Sequence, residues 1–321
     1  PEAFPSPPAG GCFPRGHGKN EQRGMRRERI RAPDFVMGAG VMEDRRAALL
    51  QLHGATVLFG VSGVFGKLVA GSSELIVFGR SVFALAALSA LCLRRGRAPW
   101  RGIGVRDAAG FMLTGLLLAL HWWTFFTGIK IGGVAVGTLG FACFPAFVAL
   151  FFRERLSIAE YVLIAFVSLG LVLVTPSFAF SDRATEGLLW GVLSGGIYAC
   201  NAIANRFSVA HVSGVQVCWW QYAFIAAVSG PFVLTELPGV SPSDWLWIAC
   251  LGLLCTGLAY TLFITSLGAL KARMAAIIIA LEPVYAIFAA WLLFGDVPGP
   301  RVCAGGALIV GTVIWDGLRR S

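Results

Sequence analysis

The chain has 321 residues, of which 57% are hydrophobic and 13% charged, and its mean hydropathy is +0.75. Soluble globular chains carry about a quarter of their residues charged, so a water-soluble fold is excluded. The net charge is +9, but nine of the 26 basic residues crowd between Arg15 and Arg46 and most of the others sit in short links. That distribution suits anionic lipid and gives no support to nucleic-acid binding.

Residues 1–46 mix Pro, Gly and charge without helical period and are expected to be a disordered or non-native extension, with Met42 a plausible start. No short apolar stretch with a cleavage site follows the charges, so the segment does not read as a signal peptide. From there, apolar stretches between polar breaks predict ten membrane spans. They lie near 47–70, 74–94, 106–127, 132–152, 157–175, 186–208, 213–234, 244–268, 272–294 and 299–317. At 1.5 Å rise per residue, runs of about 20 residues cross a hydrocarbon core of ~30 Å. Seven of the eight cysteines fall inside these spans without metal-ligand spacing, so neither a metal, a cofactor nor a disulfide framework is expected.

With the N-terminus inside, the inner links hold Arg94, Arg95, Arg97, Arg101, Arg106, Arg153, Arg155, Arg206, Lys271 and Arg273, and the outer ones Lys130, Arg183 and Arg301. This asymmetry predicts a multi-pass protein of the cytoplasmic (inner) membrane with both termini cytoplasmic.

Sliding the chain along itself by 138 residues places Phe125 on Phe263, Thr127 on Thr265, Ala142 on Ala280 and Pro145 on Pro283. The same offset sets Thr56, Gly60, Gly63 and Lys67 on Ser194, Tyr198, Asn201 and Asn205. Two five-span repeats, 47–175 and 186–317, follow. Five is odd, so the second repeat enters the membrane from the opposite side and the pair is inverted, a plan that secondary transporters use around a midplane site. Glu154 follows Pro145 at plus nine and Asp296 follows Pro283 at plus thirteen, which predicts a fourth span about one turn shorter than the ninth.

The segments Leu281-Glu-Pro-Val-Tyr-Ala-Ile-Phe-Ala-Ala-Trp-Leu-Leu-Phe-Gly-Asp296 and Phe152-Arg-Glu-Arg-Leu-Ser157 resemble the two signature stretches of EamA-like carriers of the drug/metabolite transporter superfamily. The resemblance covers residues 48–317. It implies an all-α fold of ten transmembrane helices in two inverted five-helix repeats, and export or exchange of metabolites such as amino acids, often coupled to protons. Two departures are the turn missing before Glu154 and Asp296 where these carriers usually have Glu.

A charge inside the bilayer is costly and needs a reason. Glu282 lies about 12 residues, or ~18 Å, from the outer end of the ninth span and is the expected proton-coupling residue. Tyr198, Asn201 and Gln221 are at similar depth and are the candidate substrate-binding groups. The alternative is that they satisfy a structural carboxylate. Arg80 and His121 lie ~9 Å inside the outer surface. With Lys67 nearer the edge they are expected to add an outer basic ring. Arg80 there suits a substrate anion, unless it and Lys67 simply snorkel to the interface. His121 is a proton-relay candidate or a packing residue. Trp219, Trp220, Tyr260 and Tyr285 are expected to pack. Gly133 with Gly137, and Gly187, Gly191 and Gly195, are small-residue runs suited to close contact within the chain.

The sequence therefore predicts a secondary transporter, monomer or homodimer, moving a small-molecule metabolite across the lipid bilayer. A channel-like facilitator is the nearest alternative. A membrane-embedded enzyme is less favoured because no metal motif or nucleophile elbow is present.

Overall fold

A computed structural model of the chain describes residues 45–96, 98–152, 157–174, 182–208, 212–266, 270 and 278–319. Residues 1–44 of the N-terminal extension, Arg97, the Arg153–Leu156 part of the signature, Lys271 and Arg273 lie outside them, while the last two residues of the extension already belong to the first helix. The described residues fold as helices, without strands. In order these are α1 (Arg45–Leu68), α2 (Ser73–Arg94), α3 (Val105–Gly132), α4 (Val134–Phe141), α5 (Phe144–Phe152), α6 (Ile158–Val174), α7 (Arg183–Ser208), α8 (Gly214–Val233), α9 (Pro242–Cys250), α10 (Ala259–Ser266), α11 (Glu282–Phe294) and α12 (Pro300–Arg319). A π-helical stretch, Leu251–Leu258, joins α9 to α10.

Among the described residues, six stretches are long and apolar enough to cross a membrane: Arg46–Leu68, Ser73–Arg94, Val105–Gly132, Val134–Phe151, Arg183–Asn205 and Pro242–Phe263. Ile158–Val174 and Glu282–Phe294 are shorter apolar helices. Side-chain caps set several starts. Ser72 Oγ accepts from Leu75 N at 3.1 Å, Ser241 Oγ accepts from Asp244 N at 3.1 Å, and Ser157 N donates to Glu160 Oε2 at 2.8 Å in a capping box. Gly295, at φ 68°, supplies the left-handed turn that ends α11.

Three expected spans are not simple helices. The fourth breaks at Ala142–Cys143 and resumes as α5, with Pro145 in its first turn. The ninth breaks at Ala280–Leu281 and resumes as α11, with Pro283 in its first turn. Proline is tolerated there because the first turn has no intrahelical use for its missing N–H. The eighth loosens into the π stretch, which includes Gly252 and Gly257.

The first helix of each half packs on the third and fourth spans of the other half: α7 on α3, α4 and α5, and α1 on α9–α10 and α11. Glycines permit the contact. A Cβ on Gly191 would lie 2.5 Å from Gly137 O and 3.1 Å from Gly140 Cα, and one on Gly60 would lie 2.8 Å from Glu282 O and 3.0 Å from Ala286 N. Helices equivalent under the 138-residue offset also pack on each other. In the α2–α8 pair, Phe78 meets Gly230 while Ser89 Oγ accepts from Trp219 Nε1 at 2.9 Å. In the α6–α12 pair, Val174 meets Gly305 while Val162 and Phe166 share a groove with Gly311 and Trp315. Both pairs run antiparallel, as a two-fold axis perpendicular to the helices requires.

Gly191→Ala is expected to destabilise the fold by about 1–3 kcal/mol, because its Cβ meets backbone that cannot swing aside. Gly311→Ala, whose Cβ would meet nothing within 4 Å, is expected to leave stability unchanged or slightly raised. Thermal midpoints of the two purified variants check the contrast; equal midpoints would show that the α7 contact tolerates a methyl group.

Candidate functional site

Arg80 lies on α2 and is 5% exposed. A Cβ on Gly252 would lie 2.8 Å from Arg80 O, so the bare glycine lets α2 come against the π stretch. The guanidinium thereby reaches Thr256, whose Oγ1 accepts from Arg80 Nε at 3.2 Å and Nη2 at 2.9 Å. Thr256 donates its own proton to Leu251 O at 2.9 Å, which leaves Oγ1 as the acceptor. The other wall is aromatic: the guanidinium carbon lies 4.0 Å from the Trp122 ring centroid and 5.3 Å from that of Phe126. A cation over a ring face is attracted by the ring quadrupole.

Tyr222 continues that wall, its ring 5.9 Å from Trp122. The Cys218 thiol lies within hydrogen-bonding reach of both the Tyr222 and Tyr260 hydroxyls. Glu282 opens α11 and is half-buried. Its charge interacts with Arg80 and with Tyr198, though no ion pair joins Glu282 to Arg80 among the described residues. At a helix start, free N–H groups favour a negative charge.

His121 occupies the neighbouring α3–α7 seam. Its Nδ1 is 2.7 Å from Ser194 Oγ, which donates to His121 O at 3.1 Å. Its ring is 4.8 Å from Tyr198 and 5.0 Å from Phe141, and Tyr198 also packs edge-on against Phe144 at 5.3 Å. Asn201 and Gln221, both 4% exposed, belong to a separate chain of hydrogen bonds. Gln221 Nε2 donates to Thr114 Oγ1 at 2.8 Å and to Asn205 Oδ1 at 3.0 Å, and Asn205 Nδ2 donates to Asn201 Oδ1 at 3.2 Å.

The structure thus gathers Arg80, Tyr198 and Glu282, sets His121 beside them, and keeps Asn201 and Gln221 as a linked pair of their own. Of the three residues expected to form a basic ring, Arg80 takes Thr256, His121 takes Ser194 and Lys67 takes Asp296 as partner. Lys67 pairs with Asp296 at 2.5 Å and lies 4.3 Å from the Phe294 ring centroid. Sequence reasoning passed over Thr256, Trp122 and Tyr222. It also assigned Tyr285 to packing, whereas its hydroxyl is 3.1 Å from His53 Nδ1. A threonine next to Gly257 in an apolar span was the available signal for Thr256.

The arrangement of two halves, each with a broken helix at their junction, has known relatives. The model of the EamA-like transporter family matches residues 46–175 and again 185–315. The chain belongs to the EamA-like transporter family. Relatives include an uncharacterized transporter, YxxF, of Bacillus subtilis (strain 168), 24% identical over 253 residues, 76% of this chain and 81% of that one. An uncharacterized transporter of Archaeoglobus fulgidus is 24% identical over 263 residues, 81% of this chain and 92% of that one. A solved crystal structure aligns with TM-score 0.61 at 22% identity, covering 86% of this chain and 99% of the other, and so shares the fold.

Thr256→Val keeps the shape of the side chain and removes the acceptor for two guanidinium N–H groups. The expected loss is about 1–3 kcal/mol of stability, read as a lower thermal midpoint. Thr256→Ser, which keeps the hydroxyl, is expected to recover most of it. A Val variant as stable as the parent would mean Arg80 does not depend on Thr256.

Proposed function

We propose that this EamA-family transporter is a secondary carrier that exports a small metabolite across the cytoplasmic membrane by alternating access, coupled to protons through Glu282. In this reading ten spans form two inverted five-helix repeats with both termini cytoplasmic. The observation that carries it is a buried cation, Arg80, held by Thr256 from the other half, with a half-buried carboxyl, Glu282, within electrostatic range where a broken helix restarts. Intramembrane ionisable groups at discontinuous helices are where carriers bind substrates and coupling ions. Arg80, Tyr198 and Glu282 form the central site, His121 flanks it, and Asn201 and Gln221 line the path on its inner side.

The antiparallel packing of α2 on α8 and of α6 on α12 supports the inverted repeat, because halves related by an axis along the membrane normal would bring equivalent helices together parallel. A reporter active outside, attached after Pro238, and one active inside, attached after Gly96, are both expected to signal; silence from either overturns the orientation.

A thermal-shift screen of the purified protein against a metabolite library supplies a ligand, since a compound that binds the folded state raises its midpoint. With that ligand in proteoliposomes, the parent is expected to show trans-stimulation by unlabelled compound, which a continuous pore would not. Glu282→Gln, a mimic of the protonated acid, is expected to keep exchange and lose pH-driven accumulation. Accumulation equal to the parent's, with the same pH dependence, would remove Glu282 from the coupling step.

A further inference from the structure

A buried charge persists only if it is compensated, and breaking a buried pair is costly because it leaves the remaining charge unmatched. Arg80 cannot shed its charge. Its described surroundings supply dipoles and ring faces: Thr256, Trp122 and Phe126. The titratable groups around it are Cys255 on the π stretch, Tyr222 on α8, Glu282 on α11 and His121 on α3. Of these only Glu282 is an acid strong enough to balance the guanidinium, and it is not in ion-pair contact. Two of the five guanidinium N–H donors are used on Thr256, which leaves three in a planar fork matched to a carboxylate. Glu282 likewise makes no hydrogen bond through its carboxyl among the described residues. Cation and carboxyl therefore stand apart with unused bonding capacity on both.

We propose that Arg80 anchors an anionic group of the substrate, such as a carboxylate, and that this group and the Glu282 carboxylate alternate as its counter-charge. The inference rests on the central site described above and names the chemistry of what it takes. Charge balances at each step. In the empty carrier, Arg80 is offset by ionised Glu282. When the substrate anion binds Arg80, Glu282 takes a proton from water on the same side, and the cavity again holds one positive and one negative charge. Release of the anion and of that proton on the other side restores the starting state. One proton then leaves with each exported anion, outward transport being driven by the anion's own gradient, and the loaded and empty sites carry the same net charge.

Formate tests this without knowledge of the natural substrate. Glu282→Gln removes the internal counter-charge and leaves Arg80 available to an added anion. Purified parent, Glu282→Gln and the double variant Arg80→Gln/Glu282→Gln are titrated with sodium formate, with ionic strength held by sodium chloride, and thermal midpoints are recorded. Formate is expected to raise the midpoint of Glu282→Gln by about 3 °C or more along a saturating curve. The parent is expected to gain less than half as much, and the double variant nothing. If the double variant does not fold, Arg80→Lys/Glu282→Gln replaces it and is expected to show a response several-fold weaker, because the fork is lost.

An unchanged midpoint for Glu282→Gln, or an equal rise when Arg80 is replaced, overturns the anion site. Equal rises in parent and Glu282→Gln overturn the exchange of counter-charge. The readout is binding alone, so a negative result leaves the proton-coupled transport reading to its own assay, and failed accumulation there leaves the formate result standing.

Discussion

A helix that stops and restarts inside an apolar bundle leaves N–H and C=O groups that must find partners, and the rest of this fold is arranged around two such breaks. Both fall where a first helix from the opposite half comes close. Gly60 brings α1 onto Glu282 O and Ala286 N, and Gly191 and Gly195 bring α7 onto Gly137 O and Phe141 O. A side chain at these positions would hold the helices apart. The small-residue stripes on α1 and α7 therefore let the two halves approach closely at both breaks.

The repeat explains the architecture, and departures from it explain the chemistry. Under the 138-residue offset Glu282 corresponds to Phe144, Gly60 to Tyr198, Arg80 to Cys218 and Thr256 to Leu118. At one break a tyrosine packs edge-on against a phenylalanine; at the other a glycine leaves room beside a carboxylic acid. One half thus contributes a mostly aromatic wall and the other an acid. Two identical halves would double every buried charge, at a cost of several kcal/mol per uncompensated ion. Confining the cation to one position and the acid to another avoids that cost.

Apolar run length carried the helical class, and the offset that aligned Pro145 with Pro283 carried the pairing of the two breaks, since both prolines fall in the first turn of a restarted helix. Depth along a span located Arg80 and Glu282 well enough to nominate them. It could not say which way each faced, because rise per residue gives height and not azimuth. That is why depth did not show that Asn201 and Gln221 are linked through Asn205, or that Lys67 pairs with Asp296. The π stretch was illegible for a related reason. Leu251-Gly-Leu-Leu-Cys-Thr-Gly-Leu258 is as apolar as an ordinary helix, and only its packing against α2 shows why the wider turn presents Thr256 to Arg80.

The link between α1 and α2 gathers polar contacts from four other elements. Lys67 pairs with Asp296 and Ala70 N donates to Asp244 Oδ1 at 2.8 Å. Ser72 donates to Glu236 through its backbone at 2.8 Å and through its hydroxyl, and Lys130 Nζ donates to Val69 O at 2.6 Å. The positions related to Lys67, Glu236 and Asp244 by the repeat are Asn205, Ala98 and Arg106, residues that cannot rebuild the same acid-to-link bonds. At about 0.5–1.5 kcal/mol net for each hydrogen bond, and more where a charge takes part, opening this end means giving up several kcal/mol together. At the other end Gln216 Nε2 donates to Pro99 O at 3.3 Å and to Arg101 O at 3.0 Å, so the α2–α3 link there is held by an amide and not by acids. In the proposed alternating-access reading, these acid-to-link bonds would favour closure at the α1–α2 end. In that reading a bound ligand would reverse the bias only by the difference in its affinity for the two states.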